Sequence, residues 1–131
     1  MSRRLLQILT ALLGLIPLAT GIITMFGLSD PLYASMQLPQ SPLLDSNLRF
    51  FGGVWCALGI ALFWMIPSIE RQTVLVRVIW DAVFLGGIGR LLSILFAGLP
   101  PLPFIGFTAL EIVGAPLFVY WQYRVAKSAS A

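Results

Sequence analysis

The chain has 131 residues, of which 59% are hydrophobic and 10% charged, with a mean hydropathy of +0.95. A soluble domain carries about 25% charged residues, so this chain lacks the polar side chains to cover a core in water, and its apolar content equally excludes disorder. One cysteine and no histidine rule out an intrachain disulfide framework and histidine-based metal sites or general bases, and no cofactor or metal is expected.

The first apolar run, 5–28, is uncharged and long enough to cross about 30 Å of hydrocarbon with some tilt. Met1-Ser2-Arg3-Arg4 ahead of it resembles the start of a signal peptide. However, the run outlasts an h-region of about 7–15 residues and no good Ala-x-Ala site follows, so a retained helix is expected. Gly14, Pro17 and Gly21 within it suggest a packing groove with a mild kink.

An outer loop, 29–47, comes next. Asp30-Pro31 has the pattern of an N-cap and first helical residue, which predicts a short helix over 32–38 lying on the membrane. Pro39 and Pro42 punctuate it, and Asp45 or Ser46 is the expected cap of the second span. Three further spans follow at 48–66, 74–97 and 104–123, the last two joined by a stiff turn containing Pro100, Pro101 and Pro103. Continuous runs such as Ile60 to Ile66 lack the alternation of barrel strands. The expectation is an all-α bundle of four transmembrane helices forming one membrane domain over 1–131.

Of the eight basic residues, Arg3, Arg4, Arg71, Arg77, Arg124 and Lys127 fall at one side of such a bundle, and only Arg49 and Arg90 at the other. By the positive-inside rule both termini are cytoplasmic. Trp64, Tyr120, Trp121 and Tyr123 lie where an inner aromatic belt belongs. The net charge of +3 reads as a topology signal, with no basic patch standing clear of the membrane to bind nucleic acid.

Ionisable groups inside spans are functional-site candidates. Counting about 1.5 Å per residue places Arg90 about 6 Å and Glu111 roughly 3–4 Å to the outer side of their span midpoints. The two are therefore expected to form a salt bridge between antiparallel neighbours. Arg49, about 8 Å further out, is long enough to join an Arg49–Glu111–Arg90 cluster. Arg90 shares its face with Gly86, Ser93 and Ala97, and Glu111 with Thr108, Gly114, Ala115 and Gln122. Arg49 lies with Gly52, Gly53 and Cys56. Such small residues mark close helix contact, and Gly89 joins them as a packing candidate. Asp81 stands on the opposite, bulky face of its helix, close to the inner interface and one turn from Arg77, which can pair with it, and reads as a boundary residue.

The strings Asn47-Leu48-Arg49-Phe50-Phe51-Gly52-Gly53-Val54-Trp55, Glu70-Arg71, Val83 through Gly86-Gly87-Ile88-Gly89-Arg90-Leu91-Leu92-Ser93, and Leu110-Glu111 together resemble a bacterial membrane family, the domain of unknown function DUF4345. The layout is also loosely similar to DoxX-like four-helix membrane proteins. The resemblance implies a four-helix protein of the bacterial inner membrane and falls on Arg49, Arg90 and Glu111. It carries no activity.

The charged cluster reads first as a staple fixing helix register. The functional expectation is accordingly a non-enzymatic protein acting in the bilayer through helix contacts, as a homo-oligomer or beside a membrane-protein partner. The alternative is a binder or carrier of a small amphiphilic or anionic ligand, using Arg49, Arg90, Glu111, Ser93 and Thr108. A membrane enzyme would need a second catalytic carboxylate, a metal cluster or a base near the triplet, and none is evident.

Overall fold

The computed structural model describes residues 2–33 and 36–130. The described residues form an all-α fold with no strand. Its four long helices are α1 (Arg3–Thr24), α2 (Pro42–Met65), α3 (Thr73–Ala97) and α4 (Leu102–Ala129), each long and apolar enough to cross a membrane. Helices suit hydrocarbon because they satisfy their backbone hydrogen bonds internally. The middle of α4, Leu110–Gly114, winds as a π-helix. The chain divides into two compact units, Gln7–Ile66, and Met1–Leu6 with Pro67–Ala131.

In the first unit α1 and α2 run antiparallel along a seam of glycines. A β-carbon on Gly59 would lie 2.7 Å from the Leu18 nitrogen, and one on Gly52 2.7 Å from the Met25 nitrogen. One on Gly21 would lie 2.8 Å from both Cys56 Cα and Gly52 O. These are backbone atoms that cannot turn aside, so only glycine lets the helices approach this closely. Cys56 meets the seam through its main chain. Gly53, expected to pack beside Gly52, faces open space, because the seam recurs every seven residues at 52 and 59 and leaves 53 about 100° away. A polar bond adds to the seam where Trp55 Nε1 donates to Thr20 Oγ1 at 2.9 Å.

The loop between them departs from expectation in two ways. Of the predicted 32–38 helix, Ala34 and Ser35 lie outside the described residues. Around them Pro31–Tyr33 form a turn and 37–41 have no regular structure. Asp30 Oδ1 accepts from Leu32 N at 2.7 Å, an Asx turn that does not propagate into a helix. Secondly, α2 begins at Pro42 and its N-cap is Ser41, whose Oγ accepts from Leu44 N. Proline at the first helical position fits there because its missing N–H would have been unsatisfied anyway. Asp45 is thereby freed for another task.

In the second unit α3 and α4 are antiparallel. Trp80 stacks on Phe118 with ring centroids 4.5 Å apart. Gln122, 1% exposed, donates to Ile69 O and Thr73 Oγ1 at 3.0 and 3.1 Å. The first turn of α1 is tied in by Arg3, which donates to Glu70 at 2.8 Å and to Pro67 O at 2.7 Å. At the other end of α3, Gly98 closes the helix at φ +98, and its N–H donates to Ile94 O.

The seam separates its glycines by substitution. Gly59→Ala should lose about 1–3 kcal/mol through forced separation of the helices, while Gly53→Ala should stay within error of the parent. Thermal unfolding of both variants in mild detergent measures the difference.

Candidate functional site: a membrane-embedded arginine–glutamate pair

The site begins with Pro116, which cannot donate to Ile112 O and whose ring would collide with that carbonyl in a regular α-helix. The turn before it widens into the π-helix Leu110–Gly114. Such single turns recur at functional positions. Glu111 lies within this turn and is buried.

Opposite it stands Gly87 of α3. A β-carbon there would lie 2.8 Å from Glu111 Cβ, so glycine is what admits α3 to this distance. The sequence points to Gly86 and Gly89 for close helix contact, but both face open space. The Gly86-Gly87 pair leaves the helix phase ambiguous by about 100°, and the buried residues Val76, Ile79, Trp80 and Gly87 settle it. Gly114 meets only Leu110 of its own helix, at 3.0 Å.

One turn beyond Gly87, Arg90 Nε donates to both carboxylate oxygens of Glu111, at 3.1 and 2.9 Å. The side chains are 39% and 9% exposed respectively, so the acid is sheltered and the base reaches outward. The guanidinium also stands 5.8 Å from the Phe104 ring centroid, a cation–π contact. Its two terminal nitrogens make no hydrogen bond among the described residues. Thr108, buried below, donates to Phe104 O at 2.8 Å within its own helix, and Ser93 is exposed.

Arg49 does not take Glu111 as its ion-pair partner. Its Nε donates to Asp45 Oδ2 at 2.7 Å and its Nη1 to Met25 O at 2.9 Å. Asp45 Oδ1 in turn accepts from Leu28 N at 3.0 Å. Arg49 thus caps the Met25 carbonyl just past the end of α1, an architectural role. The expected triplet divides into two pairs, Arg49–Asp45 and Arg90–Glu111. An i,i+4 acid–base spacing from 45 to 49 was the signal that would have found this. Nor do Arg77 and Asp81 pair: both are exposed, and neither enters an ion pair among the described residues. A cavity of about 450 Å³ opens beside those two, with Arg90 and Glu111 outside its lining.

Chemically, the Arg90–Glu111 pair neutralises two charges that would each be costly in hydrocarbon and holds α3 and α4 in one register. A family model described as "Domain of unknown function (DUF4345)" matches residues 5–122, and the chain belongs to that family. No curated protein and no solved structure matches it.

Removing one partner should be asymmetric. Arg90→Gln leaves a sheltered carboxylate unpaired and should cost about 3 kcal/mol. Glu111→Gln should cost less, because the freed arginine is partly exposed and can extend to the interface. Unfolding of the two variants in detergent, with the double variant Arg90→Met/Glu111→Leu as the reference for loss of both charges, tests the order.

Proposed function

We propose that this protein is a multi-pass protein of the bacterial cytoplasmic membrane that acts through helix–helix contact, associating with a second copy of itself or a membrane-protein partner through α3. The observation carrying this reading is a ridge of small residues, Ala82, Gly86, Gly89, Ser93 and Ala97, all exposed on one side of α3. Gly86 and Gly89 have nothing within 4 Å of where a β-carbon would stand. Lipid tails are as apolar as leucine, so membrane helices associate by close backbone approach, which small residues permit. A charged span gains further from neighbours: Arg90 and Asp81 each oppose insertion by about 2.5–3.5 kcal/mol, against about 0.3–0.6 gained per Leu, Ile, Val or Phe.

A cytoplasmic side for both termini is supported by Arg3, Arg4, Arg71, Arg77, Arg124 and Lys127 under the positive-inside rule. A second reading, a binder or carrier of a small amphiphilic or anionic ligand at the Arg90–Glu111 pair, draws on the two terminal nitrogens of Arg90, which make no hydrogen bond among the described residues.

Association is tested in membranes with a Cys56→Ala background. Gly89→Cys should form a disulfide-linked dimer on oxidation, while Gly53→Cys, equally open but on α2, should not. Gly89→Leu should abolish energy transfer between labelled copies. A strict monomer by native mass spectrometry in mild detergent, with no co-purifying partner, would overturn the reading.

A further inference from the structure

Three elements of the second unit converge where α1 begins, α3 begins and α4 ends. Arg3 donates to both Glu70 oxygens, at 2.8 and 3.3 Å, and to Pro67 O at 2.7 Å. Gln122 of α4 donates to Ile69 O at 3.0 Å and to Thr73 Oγ1 at 3.1 Å, which fixes the end of α4 against the same segment. Arg124 and Lys127 lie about 3 and about 8 Å past Gln122 along α4.

These bonds gather Arg3, Arg4, Arg71, Arg124 and Lys127 around one acid, Glu70, and Arg3 already takes both of its oxygens. Arg77 and Asp81 lie further along α3, at the aromatic groove between α3 and α4, where their charges offset each other. Arg4, Arg71 and Lys127 are exposed and enter no ion pair among the described residues. Arg124 is exposed too and donates to Tyr120 Oη at 3.0 Å, through Nη1 alone. The positive-inside rule explains a count of basic residues. It does not require that their one acid be engaged internally while four cations are left facing outward together.

Beside Arg71 the surface turns apolar. Val74 and Val78 of α3 are 77% and 60% exposed and follow Arg71 at the spacing of a helix face. A cationic end above an apolar helix face matches an anionic headgroup above acyl chains, whereas free phosphate would use only the first of these. Anionic lipids attract basic residues that flank a span, each strengthening the attraction about fivefold. Arginine suits the phosphate because it presents paired N–H donors in a fixed fork.

We propose that this end of the α3–α4 unit binds an anionic phospholipid, its headgroup drawn to Arg4, Arg71, Arg124 and Lys127 and its acyl chains lying along Val74 and Val78. Charge complementarity selects this occupant: the only acid in the cluster is held by Arg3, so a cation is repelled and a zwitterionic headgroup gains less. None of these residues belongs to the Gly86–Gly89 ridge, so the proposal is independent of association through α3.

The test is energy transfer from the tryptophans of the full chain to dansyl-labelled phosphatidylglycerol in neutral maltoside micelles. Unlabelled phosphatidylglycerol should displace the probe at least about fivefold better than phosphatidylcholine with the same acyl chains. That preference should fade as sodium chloride rises from about 50 to about 500 mM. Sodium phosphate at matched ionic strength should displace no more than the chloride does. The double variant Arg71→Gln/Lys127→Gln should lower the preference about fivefold or more, Arg71→Lys/Lys127→Arg should retain it, and Gly89→Leu should leave it unchanged. Should the glutamine variant fail to insert, the lipid and salt competitions on the parent chain still decide. Equal displacement by the two lipids, a preference indifferent to salt, greater displacement by phosphate than by chloride, or an unchanged preference in the folded glutamine variant would each overturn the proposal.

Discussion

Hydrocarbon offers two apolar helices no reward for hiding their side chains from it, and this constraint governs how the chain is held together. What remains is contact between backbones, and hydrogen bonds that lipid cannot replace. The α1–α2 hairpin uses both. Gly21, Gly52 and Gly59 bring main chain against main chain, and the Trp55–Thr20 bond and the Arg49 cap supply the polar contacts. In water the same helices would be joined by bulk burial and could tolerate larger side chains at the seam. In lipid the seam itself is the attraction, so its geometry is strict.

The α3–α4 unit meets the same constraint with charge. Glu111 is sheltered, and a sheltered carboxylate requires a partner at close range. Gly87 permits the approach, the π-turn ahead of Pro116 presents the acid, and Arg90 supplies the counter-charge one helical turn on. Three sides of α3 thus serve three ends. One faces α4 through Trp80 and Gly87, one carries the small-residue ridge, and one opens the aromatic groove holding Asp81.

The strings by which the chain resembles its family acquire physical meaning here. In Asn47 to Trp55, Arg49 caps α1 and Gly52 forms the seam. In Val83 to Ser93, Gly87 and Arg90 build the charged pair. The partner of Arg49, Asp45, lies outside these strings, and the partner of Arg90, Glu111, lies in the string Leu110-Glu111. At these positions the strings hold each of the two hairpins closed within itself.

The sequence by itself determined the four spans, because hydrophobic length is a property of a segment and needs no neighbour to be read. It also determined the pairing of Arg90 with Glu111, since depth along two antiparallel helices can be counted from their ends. Tertiary structure alone decided that Arg49 turns to Asp45 and Met25, that Gly87 and Gly59 rather than Gly86 and Gly53 make the close contacts, and that Asp81 is left without Arg77. Each of these depends on helix phase, where one residue is about 100°, and adjacent glycines look alike until a second backbone arrives to choose between them.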